Sequence, residues 1–281
     1  MVSTGQMSIR RDMTGKMNIA IAGVAGRMGR QLVETAVDLN HQVSGGSEAP
    51  GSVHLGRDIG ELAGLKPIGR PAYAGIGEAA NGADVWVDFT VPKATLAALD
   101  VVPGSGAKAM VIGTTGFSAA EDTRIVQASE RLAIVRAGNF SLGVNLLEAL
   151  VQQAAARLGD DWDIEVLETH HRRKMDAPSG TALMLGDAAA RGRGEDLAQL
   201  RSAPYDGPEA KREAGKIGFS VRRSGGVIGE HDVTFASDME ILSLSHTALD
   251  RAVFAHGAIK AAEWAVRQAP GLYGMSDVLG V

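Results

Sequence analysis

From Asn18 onward, short apolar runs alternate with stretches whose apolar residues recur at helical spacing, the pattern of βαβ units on a parallel sheet. The runs at 18–22, 42–45, 85–89, 108–112 and 132–135 predict strands. Met28, Leu32, Ala36 and Leu39 mark one face of a helix over 27–39, and Ile125 and Ala128 mark a second over 119–131. Past Gly138-Asn139-Phe140-Ser141 the pattern changes. A long helix over 142–158 is followed by strands at 163–170, 217–222, 230–236 and 239–246, with one helix from about Thr181 and a polar, mobile stretch over 193–215. Strands with few helices between them predict a separate α+β layer. An amphipathic helix over 251–267 predicts a return to the first unit. The chain therefore reads as α/β. A doubly wound parallel sheet is expected from 17–139 and 250–281, and a smaller α+β domain with a mixed sheet from 140–249.

A length of 281 residues suits two units, because single domains cluster near about 100–150 residues. Thirty-six glycines against 4% aromatics fit strand-to-helix turns that need permissive backbone. The net charge of −5 and pI of 5.8 argue against nucleic acid or an anionic membrane surface as the main partner, so any anionic ligand must meet a local basic cluster. The absence of cysteine excludes disulfides, thiolate metal sites and a cysteine nucleophile, and suits a cytoplasmic location. Residues 1–16 are polar, lack the apolar core of a signal peptide and read as a disordered leader. No apolar run approaches the roughly 20 residues that span a bilayer, so no membrane partner is expected.

The first strand runs into Gly23-Val24-Ala25-Gly26-Arg27-Met28-Gly29-Arg30, which opens a helix. Glycines there let the backbone approach a pyrophosphate, and the helix N-terminus presents free N–H groups to it. The spacing is G-x-x-G-x-x-G rather than the usual G-x-G-x-x-G, and a merely tight turn would share it. Glu48 lies near the offset at which a carboxylate holds the adenosine ribose, which favours NAD, while Arg27 and Arg30 remain available to the phosphate of NADP. Gly113-Thr114-Thr115-Gly116-Phe117 follows the fourth strand, and either lines the nicotinamide pocket or caps the next helix.

The most informative segment runs from Glu165 to Ala182. Its strand delivers five consecutive basic residues, His170-His171-Arg172-Arg173-Lys174, to a loop that enters a helix at Ser179-Gly180-Thr181. Such a loop can bind carboxylates at the helix N-terminus. His170 can move a proton near neutral pH, and Lys174 can donate one or serve as a point charge. A solvated basic patch with a Ser cap would have the same spacing. His41, His54, His231, His246 and His256 read as surface or hydrogen-bonded structural histidines, and no ligand spacing indicates a metal.

The pattern E-x-x-E-x-H-H-x-x-K-x-D-x-P-S-G-T-A, with the glycine turn, Asp88-Phe89-Thr90, the GTTGF loop, Gly138-Asn139-Phe140-Ser141, Gly218-Phe219-Ser220-Val221-Arg222 and Gly229-Glu230-His231, resembles the 4-hydroxy-tetrahydrodipicolinate (dihydrodipicolinate) reductase family from about Met17 to the C-terminus. The resemblance implies a Rossmann-type sheet plus a substrate-binding and tetramerisation domain. It also implies reduction of a cyclic dicarboxylate by NADH or NADPH with loss of water, in lysine biosynthesis through diaminopimelate. It places proton transfer on His170 and Lys174, and substrate binding on His171, Gly180 and Thr181. Cofactor contacts fall on Gly23, Val24, Ala25, Gly26, Arg27, Met28, Glu48, Gly113, Thr114, Thr115, Ala137, Gly138, Asn139 and Phe140. It further implies a homotetramer. Because the hydride must arrive without water competing, the two domains are expected to close over the substrate, hinging near Ser141 and Asp250. Many members follow the ribose-binding acid with an arginine that pairs with the NADP phosphate, whereas this chain has Ala49, so NADH is expected to serve at least as well as NADPH. A homoserine- or aspartate-type dehydrogenase would offer fewer carboxylates to the basic loop, and an aspartate-semialdehyde type needs the missing cysteine. A non-catalytic nucleotide sensor is the rival from another class.

Overall fold

The computed structural model describes residues 15–281, so the expected leader lies outside the described residues apart from Gly15 and Lys16. The chain opens with β1 (Asn18–Ala22), α1 (Arg27–Asp38), β2 (Gln42–Ser47), the short α2 (Ile59–Leu62) and α3 (Ile76–Ala80), and β3 (Val85–Asp88). It continues through α4 (Pro92–Val101), β4 (Ala109–Ile112), α5 (Ala119–Ser129) and β5 (Ala133–Arg136). After α6 (Leu142–Arg157) come β6 (Asp163–His170), α7 (Gly180–Gly192), α8 (Leu197–Leu200), β7 (Ile217–Arg223), β8 (Gly229–Ala236) and β9 (Ile241–Ala248). The chain ends with α9 (Ala252–Ala265), β10 (Gly271–Tyr273) and α10 (Met275–Leu279).

A six-stranded sheet has the order β10-β5-β4-β3-β1-β2 and is parallel throughout. Its central strands carry near-continuous apolar runs, VWVD in β3 and AMVI in β4, because helices cover both faces and leave no solvent side to alternate toward. Strand order reverses between β1 and β3, which opens a crevice at the carboxyl edge where ligands of open α/β sheets bind. The crossover helix α4 was outside the sequence expectation. Pro92 reads as a breaker, yet it stands in the first turn, where a missing N–H costs nothing. The sixth strand, β10, was also missed, since three residues give no periodicity.

The second sheet, β7-β6-β8-β9, is mixed: β6 runs parallel to β7 and antiparallel to β8, and β8 antiparallel to β9. In β8 burial alternates residue by residue, with His231, Val233 and Phe235 turned inward. The core beneath this sheet is made by Val151, Ala155, Leu185 and Ala189 of α6 and α7 packing on Ile164, Val166 and Phe235. The stretch 193–215, expected to be mobile, is anchored at Arg193, Tyr205 and Arg212. Arg212 donates to Glu165 (3.1 Å) and to the carbonyls of Ile164 and Lys216, and pairs with Asp163 at 2.9 Å. Tyr205 also reaches Glu165.

Helix α9 returns to the first sheet as expected. His41 fixes it there: Nδ1 accepts from Met17 N–H at the start of β1, which leaves Nε2 to donate to Glu263 at 3.0 Å. Gly257 of α9 crosses so close to the β5 exit that a Cβ would lie 1.7 Å from the Phe140 carbonyl oxygen. No helix among the described residues is long and apolar enough to cross a membrane, and no cluster of potential metal ligands occurs among them.

Candidate active site

The glycine turn sits at the carboxyl end of β1. Gly23 has φ of +64°, a conformation that side chains disfavour, and a Cβ on Gly29 would lie 2.1 Å from the Gly23 carbonyl oxygen. The first intrahelical bond of α1 is Arg30 N–H to Gly26 O, so the amides of Arg27, Met28 and Gly29 precede the ladder. No side chain caps this helix and no acid stands in its first turn. That open N-terminus fits a dinucleotide pyrophosphate. Glu48 lies just past β2 and accepts from Ala25 N–H at 2.9 Å, which puts its carboxylate beside the turn. Val24 is buried and offers only backbone, Arg27 is exposed, and Arg30 braces the turn through Nε to Ala25 O at 2.9 Å.

Farther along the same edge, Thr115, Gly116 and Phe117 border an open cavity of about 520 Å³, with Ala137 and Gly138 opposite. Helix α5 is capped by Ser118 and Glu121, not by the threonines, so the capping alternative does not hold. Thr114 also lines this cavity, but it is largely buried and its hydroxyl is engaged by Asp88 (3.2 Å) and Thr95 (2.9 Å). Asp88, itself fully buried, also accepts from Thr90 N–H. Phe140 is equally buried, with its ring 5.1 Å from Phe89, so only its backbone can meet a ligand.

Asn139 joins this edge to the second unit. Its Nδ2 donates to Thr181 Oγ1 at 3.0 Å, and its Oδ1 accepts from Ser141 N–H at 2.8 Å. Thr181 stands in the first turn of α7, which Ser179 caps through Ala182 N–H at 3.1 Å. Gly180 beside it is exposed, with nothing within 4 Å of where a Cβ would stand.

His170 ends β6. Its Nδ1 lies 2.6 Å from Glu168 Oε2, and Glu168 is wholly buried. Arg223, paired with His170 in the β6–β7 register, grips the same carboxylate at 2.7 and 2.8 Å, and Ser179 N–H adds a fourth contact at 2.9 Å. Burial alone would raise the Glu168 pKa; the bonds from Arg223, His170 and Ser179 outweigh it and hold the group below the ordinary range. His231 packs edge-on to His170 with ring centroids 5.2 Å apart and meets Ser179 Oγ at 3.1 Å. Burial pushes its pKa down to about 4.

The loop beyond β6 brings His171 and Lys174 to the same end of the sheet. His171 Nδ1 is buried without a hydrogen-bond partner. Partial burial, followed by repulsion from Arg173 and Arg251, lowers the His171 pKa. Lys174 Nζ pairs with both oxygens of Asp176, at 2.9 and 2.8 Å. Among the described residues, no hydrogen bond or ion pair links the glycine turn directly to this loop; Asn139 instead ties the β5 exit to Thr181 of α7.

A sequence model described as dihydrodipicolinate reductase, N-terminus, matches residues 17–140, and one described as dihydrodipicolinate reductase, C-terminus, matches 143–279. The chain belongs to the dihydrodipicolinate reductase family. It is 48% identical over 271 residues to the 4-hydroxy-tetrahydrodipicolinate reductase of Parvibaculum lavamentivorans, covering 96% of this chain and all of that one. It is 49% identical over 266 residues to the Rhodopseudomonas palustris enzyme, covering 94% and 98%. Dipicolinate-bound dihydrodipicolinate reductase from Paenisporosarcina sp. TG-14 shares the fold with a TM-score of 0.74 at 23% identity, over 94% of this chain and 99% of that one. An amine dehydrogenase from Mycobacterium smegmatis shares it at 0.63 and 14%, over 92% and 95%.

As a dihydrodipicolinate reductase family member the chain is an oxidoreductase with a nicotinamide-type fold. Sequence reasoning gave no role to Glu168, Arg223, His231 or Arg251. For Glu168 a signal was present: Ile164, Val166, Glu168 and His170 recur at the two-residue spacing of one strand face, and a carboxylate on a buried face demands partners.

Proposed function

We propose that this enzyme reduces 4-hydroxy-tetrahydrodipicolinate to tetrahydrodipicolinate, the step of lysine biosynthesis through diaminopimelate, using NADH or NADPH. The observation that carries the assignment of the site is the Asn139–Thr181 bond, which sets the β5 exit of the cofactor edge against the helix N-terminus beside His170 and Lys174. A nicotinamide bound along the β4 and β5 exits supplies the hydride. The reaction also takes up one proton and releases one water. Gly23, Ala25, Gly26 and the amides of Arg27 and Met28 hold the pyrophosphate, with Val24 shaping the turn. Glu48 holds the ribose, and Gly113, Thr114, Thr115, Ala137, Gly138, Asn139 and Phe140 form the nicotinamide wall.

His171, with its unpartnered Nδ1, and the Gly180 and Thr181 N-terminus take the two carboxylates. His170 exchanges a proton through Nε2, and Lys174 donates one after its Asp176 contact gives way to substrate. Glu48 followed by Ala49 supports use of NADH at least as well as NADPH, since no arginine stands beside the acid to pair with a 2′-phosphate. The parts divide into 17–139 with 250–281 for the dinucleotide and 140–249 for the substrate, and closure hinges at Ser141 and Asp250. Exposed Ile241 and Leu242 on β9 and Val221 on β7 support a homotetramer built through the second sheet, acting in the cytoplasm.

The test follows oxidation of NADH and NADPH in parallel, with substrate made in place by the preceding synthase, for the wild type, His170→Ala and Lys174→Ala. Turnover that falls about 10²- to 10⁴-fold in both variants, with dinucleotide affinity kept, supports the reading. Binding of both cofactors without oxidation by the wild type overturns it and favours a nucleotide sensor.

A further inference from the structure

Glu168 contacts three separate pieces of the site. Its Oε2 meets His170 Nδ1 on its own strand, both oxygens meet the Arg223 guanidinium on the neighbouring strand, and Oε1 accepts from Ser179 N–H at the start of α7. Arg223 also donates to the backbone oxygen of Asp176 at 2.7 Å, which ties the loop carrying Lys174 to the same cluster. Neither Glu168 nor Arg223 needs to touch substrate. The carboxylate is wholly buried, and it stays ionised only because the guanidinium and the amide surround it.

An ionised carboxylate has no proton to give, so the group 2.6 Å away must be an N–H. We infer that Glu168, locked by Arg223, is a positioning residue that holds neutral His170 with its proton on Nδ1 and thereby leaves Nε2 as the nitrogen that exchanges protons with substrate. The surroundings of Nε2 agree. Gly229 lies across from it, where a Cβ would stand 3.1 Å from Nε2, so the glycine leaves that nitrogen uncrowded. His231 meets the His170 ring edge-on and has its own contact to Ser179, so it does not compete for Nδ1. Through Ser179 N–H the same carboxylate sets the start of α7, and so the placement of Gly180 and Thr181, relative to His170. This inference rests on the reading of His170 as the proton carrier.

Glu168→Gln is the informative change because it keeps the size and removes the charge. The amide oxygen of Gln goes to Arg223 and Ser179 N–H, which turns its NH₂ toward Nδ1. His170 must then accept there and carry its proton on Nε2, the wrong nitrogen for accepting one from substrate. The test combines steady-state kinetics, NADH affinity and the imidazole ¹⁵N spectrum of the full-length enzyme, with the His170 signals assigned by their loss in His170→Asn. The wild type should show the Nδ1–H form, and Glu168→Gln the Nε2–H form. In Glu168→Gln kcat should fall about 100-fold, with NADH affinity within about twofold of wild type. Arg223→Gln, which leaves the carboxylate in place, should keep the Nδ1–H form and lose about tenfold in kcat.

A wild-type spectrum showing Nε2–H overturns the inference whatever the variants do, including a Glu168→Gln that fails to fold. So does a folded Glu168→Gln that keeps the Nδ1–H pattern, or one whose kcat stays within about threefold of wild type. The spectrum needs no turnover, so this failure is distinct from failure of the site reading, which would appear as full activity in His170→Ala.

Discussion

Two helix N-termini carry the proposed anion sites of this molecule, and they are built in opposite ways. At α1 the chain supplies almost nothing but backbone: glycines, three amides ahead of the hydrogen-bond ladder, no cap and no acid in the first turn. At α7 it supplies side chains in depth, with Ser179 capping the helix, Glu168 fixing Ser179, and Arg223 fixing Glu168. The α1 site needs only an anion of the right shape, and a cap would compete with it. In the proposed reading the α7 site holds a small dicarboxylate in one orientation against a proton carrier, and that takes groups whose own positions are over-determined. Substitutions should therefore act on binding in the first region and on turnover in the second.

The widest separation is expected between His170→Ala or Lys174→Ala, which lower kcat about 10²- to 10⁴-fold at unchanged NADH affinity, and Gly29→Ala, which acts on binding. In Gly29→Ala a Cβ would stand 2.1 Å from the Gly23 carbonyl, so the turn must open. Overpacking of this kind costs about 3 kcal/mol, or a roughly 100-fold rise in the NADH dissociation constant. Loss of NADH binding in His170→Ala would break the comparison.

Acid should discriminate next. His231 has its pKa pushed from 6.5 down to about 4, so the unfolded chain binds the extra proton between those values. Stability contributed by the neutral, buried ring is full above 6.5 and declines as pH falls toward about 4, by about 3 kcal/mol in all. Glu168, held below its ordinary value, acts with the same sign at lower pH: its contribution is present above that value and is lost as the carboxylate protonates. Urea unfolding across this range should show the decline, and His231→Asn should flatten it. Glu48→Ala, which releases Ala25 N–H and removes the proposed ribose acceptor, should weaken NADH about tenfold by fluorescence titration and leave kcat nearly unchanged. Ser118→Ala is the smallest of the set. It removes an ordinary capping box remote from the catalytic loop and should cost about 1 kcal/mol in thermal unfolding without kinetic effect.

The parts of the fold legible in the sequence were those with period. β1, β6 and α1 follow directly from where apolar residues fall, and β6 was placed residue for residue. β10 and α4 were not legible, one because three residues carry no period and the other because Pro92 reads as a break. At the site, the glycine turn and the basic loop stood out by composition. The Glu168–Arg223 pair did not, because an arginine 55 positions away becomes a partner only through the β6–β7 register. The engagement of Thr114 was hidden for a related reason: a threonine in a loop reads as available, and only the buried Asp88 shows that its hydroxyl already has a partner.

The edge strand β10 also imposes an order on biosynthesis. It pairs with β5, yet it leaves the ribosome only after the whole β6–β9 sheet has been made. Until then β5 is a bare sheet edge, and the face that α9 later covers is open to water. The nascent cofactor half must therefore wait, partly assembled, for a strand encoded nearly a full chain length after the first. A nascent chain halted before Gly271 would therefore expose β5 as an edge able to pair with a neighbour's strand.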